Sequence, residues 1–388
     1  MSKTARTIAL LMLLATVFSG CKSAAQGSSG PIKVGMLTVL TGPAASVGTE
    51  QRNWAKLAVD DFNKAGGIGG RQVEMVEADT EFDPAKAVLA AQRLISDPNV
   101  YGVVGPESSQ NCEATANAFE QAGLVNISPS GTKPELSEKG LKTFFRVVPR
   151  DDVQAPAGAT FIAQDLGAKS VYIIDDQSVY SVGLATEAEK KLKELGVATV
   201  KRESISQKDS DFSALLTRIK ADAPDAIYMP IQLAAQGAQI AKQMRELGVQ
   251  AKIVGSDGLF SPQDFIAGAE GATEGAYVTQ FAPDVHYLPE DAAVVKEYES
   301  QYGQFGAYGP PSYESMAVLL DAMKRAYDTD HKLTRENVLR EMHATKDRPG
   351  ILGFKVSFND KGDAVGAAFY MFQVTGDHFQ LVKKIETQ

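Results

Sequence analysis

Cysteine is almost missing from this 388-residue chain, which has only Cys21 and Cys112. With Cys21 committed to the role described below, no intramolecular disulfide can form, and a chain this long buries enough apolar surface without one. Cys112 has no histidine paired with it and reads as a small packing residue on a helix, not a nucleophile. Histidine is scarce too. His286, His331, His343 and His378 lie in the C-terminal third without ligand spacing, so surface or capping roles are expected and no metal site. His-Glu-x-x-His, Cys-x-x-Cys, Gly-x-Ser-x-Gly and Walker loops do not occur. Ala65-Gly-Gly-Ile-Gly-Gly70 has the glycines of a dinucleotide loop, but after a helix pattern and before a strand, the wrong order for cradling phosphate. It reads as a helix stop and a tight turn. Hydrolases and dehydrogenases are thereby left without a nucleophile–base pair or a cofactor fingerprint, and neither catalysis nor a cofactor is expected. Positive charge is also short: 39 Lys plus Arg stand against 48 Asp plus Glu, a net −9 with no basic run. That balance argues against nucleic acid and anionic headgroups as partners.

Long apolar runs are missing except at the N-terminus. Ile8 to Phe18 follows Lys3 and Arg6 and is too short to span a bilayer, but it fits a signal-peptide core. It ends in Val17-Phe18-Ser19-Gly20-Cys21, which resembles a bacterial lipobox, although Phe18 replaces the usual leucine. Residues 1–20 are expected to be a lipoprotein signal peptide, with Cys21 acylated. Lys22 to Gly30 is a Ser/Gly/Ala-rich tether reaching roughly 15–18 Å. The mature chain is then an exported monomer in the periplasm or at the cell surface, held to a bacterial membrane by lipid alone.

From Pro31 onward the chain is rich in short apolar runs alternating with amphipathic segments. Strands are expected at 32–38, 73–78, 101–105, 124–128 and 143–148, then at 170–174, 198–203, 226–230, 252–254 and 276–280. Each is continuous in apolar or β-branched residues, as parallel strands covered on both faces are. Between them, Asp83-Pro84 caps a helix over 85–95, and helices are expected at 209–220 and at 234–247, the latter stopped by Gly248. Strand then helix, repeated, predicts βαβ units. So many strands call for two sheets, and the break falls near Val148-Pro149-Arg150. Past Phe281 two helices, 292–302 and 313–327, follow without a strand between them. The tail reads as short strands at 354–358, 364–374 and 378–384, turning at Asn359–Gly362 and Thr375–Asp377.

The polar residues that follow the strands carry the chemistry. Tyr101-Gly-Val-Val-Gly-Pro-Glu-Ser108-Ser109 and Leu124-Val-Asn-Ile-Ser128-Pro-Ser130-Gly131-Thr132 end strands in small hydroxyls beside helix starts. In open α/β sheets ligands bind outside the carboxyl ends of strands, where unpaired N–H groups and the helix dipole favour an anion. Taken singly, Ser108 or Thr132 reads as a helix cap. Two further strands tip the balance. One ends in Ser256-Asp257-Gly258, a carboxylate, and another leads to Tyr180 at a helix start. Hydroxyls for a carboxylate, an acid for an ammonium and an aromatic wall make an α-amino-acid site.

Several longer stretches carry a resemblance. They are Thr41-Gly-Pro-Ala-Ala-Ser-Val-Gly48, Asn63–Gly70, Ile127-Ser-Pro-Ser-Gly-Thr-Lys-Pro-Glu-Leu136, Lys208–Ser213 and Gly255-Ser-Asp-Gly-Leu259. In this order they are similar to the leucine/isoleucine/valine substrate-binding proteins of ABC transporters, a family of type I periplasmic binding proteins. The resemblance implies an α/β fold of two doubly wound parallel-sheet lobes, a clamshell joined by three hinge crossovers. It implies one lobe from 31–149 and 282–357 and another from 150–281 and 358–388. By position, Ser109 matches the family serine that binds the ligand carboxylate, with the backbone around Ser130 and the hydroxyl of Thr132 as its companions; Ser108, beside Ser109, is expected at the same site. Asp257 falls where the family holds a glutamate for the ammonium, and Tyr180 on a tyrosine that closes over the ligand. Val47 stands where an aromatic is common, and Gln232 or Leu233 where a tyrosine is expected; these would wall the ligand side chain. The implied function is capture of a branched-chain or related small amino acid for an ABC permease. An amide-, urea- or GABA-type ligand, or a sensing role, stays open on the same fold.

Overall fold

The computed structural model describes residues 31–385. The expected signal peptide (1–20), the tether (21–30) and Cys21 lie outside the described residues. Strands β1 (Ile32–Thr38), β2 (Val73–Asp79), β3 (Val100–Val104), β4 (Asn126–Ser128) and β5 (Phe144–Arg146) form a parallel sheet in the order β2-β1-β3-β4-β5. Strands β6 (Ser170–Asp175), β7 (Thr199–Ser204), β8 (Ala226–Met229), β9 (Lys252–Gly255), β10 (Tyr277–Gln280), β11 (Phe369–Thr375) and β12 (His378–Ile385) form the second sheet. Its order is β12-β11-β10-β9-β8-β6-β7. The pairs from β6 to β10 are parallel, and β11 and β12 extend the edge antiparallel. Counted within its own lobe, each parallel set follows the order 2-1-3-4-5, the doubly wound arrangement with a switch point beside its first strand.

Each sheet has its own core. Ile32, Val34 and Met36 of β1 bury against Met316, Leu319 and Met323 on the helix Gly309–Asp330, which returns from late in the chain to cover the first sheet. Ile174, Ile227 and Met229 bury against Ile240 and Met244 of the helix Ala234–Leu247. The chain passes between the two lobes after β5, after β10 and again before β11.

Local signals set most element ends. Asp83 Oδ1 accepts from Ala85 N at 2.8 Å and Lys86 N at 3.0 Å, capping the helix Pro84–Ser96 as its sequence predicts. Gly248 closes the helix Ala234–Leu247 at φ 69°, a left-handed position that glycine takes without strain. The expected start at Asp209 is corrected. Asp209 Oδ2 accepts from Ser206 N at 2.8 Å in a closed turn, and the helix runs Ser213–Asp222 instead. Residues 354–358 make isolated bridges, Arg348 with Val356 and Phe358 with Ala364, in place of a strand. The helix Arg335–His343 has no counterpart in the pattern reading; a reciprocal cap between Thr334 and Asn337 starts it.

The turn Asn359–Gly362 returns to the first sheet. Arg146 N donates to Gly362 O at 3.0 Å and Ala364 N to Arg146 O at 3.1 Å, so 358–364 lies beside β5 rather than with β11 and β12. Arg146, 0% exposed, pairs there with Asp363 at 2.6 Å.

Candidate functional site

The loops leaving the strands at the two switch points converge on one cavity. After β1 come Pro43, Ala44 and Val47; after β3, Glu107, Ser108 and Ser109; after β4, Ser130. The second lobe contributes Tyr180 after β6, Gln232 to Ala235 after β8, Asp257 and Gly258 after β9, and Asp264. Tyr308, just before the helix Gly309–Asp330, completes the lining, which holds no lysine or arginine. Among the residues expected at a site, Val47, Ser108, Ser109, Ser130, Tyr180, Gln232 and Asp257 therefore meet at one place. Thr132 does not line this cavity.

The first-lobe side presents hydroxyls with fixed partners. β3 is followed by Gly105, where an added Cβ would sit 2.0 Å from Leu37 O, so only glycine lets the chain pass this close to β1. Ser108 then caps the helix Ser109–Ala122, its Oγ accepting from Asn111 N at 3.4 Å. Ser109 Oγ accepts from Lys133 N at 3.2 Å, and Ser130 Oγ donates to Glu107 O at 2.6 Å. Gln51 Nε2 donates to Ser130 Oγ at 2.8 Å. Thr132 is 0% exposed, its carbonyl takes the N–H of Asp151 at 3.0 Å, and its hydroxyl faces the Asp151 carboxyl. Arg146 fixes this loop from behind, donating to Gly131 O at 3.1 Å and Lys133 O at 2.8 Å.

The second-lobe side is built around one carboxylate. Asp257 is 3% exposed. Its Oδ1 accepts from the Tyr180 hydroxyl at 2.6 Å and from Gln154 Nε2 at 2.6 Å. Oδ2 has only the Tyr308 hydroxyl, 3.3 Å away, and that hydroxyl also stands 2.9 Å from Asp257 O. Burial pushes the Asp257 carboxyl up to about 6, against the hydrogen bonds that favour its charge. Asp151 is buried nearby with Oδ1 unpartnered; burial and then the Asp257 charge raise it well above the usual range. Glu107 reaches about 7 by burial, its Oε1 taking the Thr80 hydroxyl at 2.9 Å and Asn111 Nδ2 at 2.7 Å. An arrangement of neutral donors facing a poorly solvated carboxylate suits a small zwitterion held without covalent chemistry.

Pattern reading missed Gln51, Asp151, Gln154 and Tyr308. Gln51 and Gln154 lie inside helices, away from the strand ends, and no local signal marks them as buried. Asp151 and Gln154 follow the expected break at Val148-Pro149-Arg150, where a hinge reading hides a site reading. Away from the cavity, Cys112 is a buried free thiol pushed up to about 12 by burial, a packing residue as expected. The four histidines are exposed, His331 as a left-handed helix C-cap.

The chain is similar to known proteins over most of its length. The Leu/Ile/Val-binding protein BraC3 of Rhizobium johnstonii is 30% identical over 342 residues, 88% of this chain and 91% of that protein. The leucine-, isoleucine-, valine-, threonine- and alanine-binding protein of Pseudomonas aeruginosa is 29% identical over 346 residues, covering 88% and 89%. The crystal structure of the leucine-binding protein LivK from Thermotoga maritima superposes with a TM-score of 0.83 at 28% identity, covering 92% of this chain and 99% of that one. LivJ from Streptococcus pneumoniae, in complex with isoleucine, gives 0.82 at 27%, covering 91% and 100%. The periplasmic binding protein family model matches residues 31–378. With two lobes and a cavity at their switch points, the chain belongs to the type I periplasmic binding protein family.

Proposed function

We propose that this protein captures a small α-amino acid between its lobes and delivers it to an ABC permease, making and breaking no covalent bonds. The observation that carries the reading is Asp257, a buried carboxylate whose Oδ2 is left short of donors, across the cavity from Ser108, Ser109 and Ser130. The ligand ammonium takes Asp257 Oδ2. The ligand carboxylate takes the Ser109 hydroxyl, the backbone around Ser130 and backbone N–H groups of the helix start, with Thr132 reinforcing the loop behind them. Tyr180 orders Asp257 and covers the ligand, while Val47 and Gln232 wall its side chain. The names of the relatives favour a branched-chain or similarly small side chain.

In this reading the lobes are 31–149 with 282–357 and 150–281 with 358–388, and the bridge between Arg146 and Asp363 favours counting the turn 358–364 with the first. The protein acts as a monomer outside the cytoplasm, tethered through lipid on Cys21. Ligand shifts an open–closed equilibrium, and the closed form presents both lobes to the permease.

A thermal-shift screen of the twenty amino acids with GABA, urea and short amides tests it. A ligand at 100 times its dissociation constant adds about 2.7 kcal/mol. Stabilisation by α-amino acids alone supports the proposal. Stabilisation by urea or an amide in their place overturns it, and turnover of any bound compound assigns an enzyme instead.

A further inference from the structure

Among the described residues, two side-chain bridges span the cleft near the cavity. One is the Tyr308 hydroxyl to Asp257, which involves the ammonium site itself. The other stands apart from it: Ser46 Oγ donates to Asp264 Oδ2 at 2.6 Å, between residues 218 positions apart. Ser46 lies in the first turn of the helix Ala45–Lys64, which follows β1 in the first lobe. Asp264 lies on the short helical turn Pro262–Ile266, which follows β9 in the second. Both are half-buried. Asp264 is held on its own lobe by Ser261, whose Oγ accepts from Asp264 N at 2.9 Å and lies 3.3 Å from Oδ2. Its carboxylate is thus aimed before the lobes meet. Ser46 does not line the cavity, whereas Asp264 does.

One turn along from Ser46, Glu50 fixes the facing loop. Its carboxylate accepts from Gly306 N at 2.7 Å and Gly309 N at 2.6 Å, on either side of Tyr308. The start of one first-lobe helix therefore reaches the second lobe directly through Ser46 and supports the other bridge through Glu50.

We propose that Ser46 and Asp264 form a closure latch that sets how tightly this receptor holds its ligand without choosing which ligand it holds. The proposal rests on the reading that the ligand binds between the lobes. A bond that exists only when the lobes are together stabilises the closed state alone. Every ligand that needs the closed state then gains the same factor, because apparent affinity scales with the population of the competent form. A hydrogen bond to a half-exposed carboxylate is worth roughly a three- to tenfold change in that population. The gain falls on the dissociation rate, since the open form that meets the ligand is unchanged.

The test uses Ser46→Ala, Asp264→Asn and Ser46→Thr, with L-leucine, L-threonine and L-alanine as probes in calorimetry and stopped flow. Single-molecule energy transfer between dyes on the two lobes follows closure with and without ligand. The first two variants are expected to weaken all probes by the same factor through faster release, and to close less often without ligand. Ser46→Thr, which keeps the hydroxyl, restores wild-type values. Unequal factors would make Asp264 a ligand contact and overturn the latch, as would an unchanged closed fraction. Should no amino acid bind the wild-type protein, the ligand reading fails, and the closed fraction of the unliganded protein still decides the latch.

Discussion

Replacing Asp257 by asparagine removes one charge from the centre of the cavity and changes little else. Oδ1 already takes the Tyr180 hydroxyl and Gln154 Nε2, both at 2.6 Å, and an asparagine carbonyl keeps these bonds. The amide nitrogen then falls where Oδ2 stands, the oxygen assigned to the ligand ammonium. A donor meets a donor there. An ammonium left without a counter-charge at a site only 3% exposed costs several kcal/mol. The lost attraction alone is about 4 kcal/mol at 4 Å with an effective dielectric constant of 20. Residual water and the nearby Asp151 recover part of this. The expected loss is at least about 2.7 kcal/mol, a hundredfold in affinity. Calorimetry compares an amino acid with the carboxylic acid of the same skeleton lacking the amino group, and melting temperature checks the fold. The amino acid should lose its hundredfold while the acid loses far less. Equal losses for both, or no loss for either, would refute the ammonium role and with it the α-amino-acid assignment.

Three further outcomes are expected. Ser109→Ala removes a hydroxyl from the carboxylate side and should weaken binding roughly ten- to a hundredfold; unchanged affinity with a lowered melting temperature would reduce Ser109 to a support for Lys133 N. The carboxyls of Asp257 and Glu107 lie above their ordinary values, at about 6 and about 7, so the folded chain binds more protons than the unfolded one between pH 4 and 7. Their contribution to stability is then full below the unfolded value and is lost as pH rises through the folded one, by an order of 1–3 kcal/mol each. Denaturant titration of the ligand-free wild type against the Asp257→Asn, Glu107→Gln double variant should show a shallower slope in the variant, which keeps the raised carboxyls of Asp151, Glu50 and Glu314, and amino-acid affinity should fall below pH 6 as Asp257 protonates. Cys21→Ser should release the protein from membranes into the soluble fraction; a wild-type chain already soluble with a free N-terminus would contradict the lipid anchor.

Much of the fold was legible because its signals are local. The run Ile32–Thr38, the Asp83-Pro84 cap and the stop at Gly248 each act within a few residues, and the structure reproduces their boundaries. The site was legible where it follows the strand ends: Ser109, Tyr180 and Asp257 stand where the chain leaves β3, β6 and β9. Asp209 misled for the same reason. An aspartate before a helical pattern promises a cap, but Ser206 N competes for its carboxylate and wins.

The sequence alone determined the alternation of strand and helix, the count of two sheets and the hydroxyl and acid types at strand ends, since propensity and patterning depend on neighbours in the chain. Tertiary structure decided which of those residues meet. Gln154 reaches Asp257 across 103 positions, Arg146 reaches Asp363 across 217 and Ser46 reaches Asp264 across 218. No local preference encodes such pairs. They form because burying both faces of each sheet brings distant polar groups into places with little or no water, where each must take whatever donor or acceptor the packing has placed beside it.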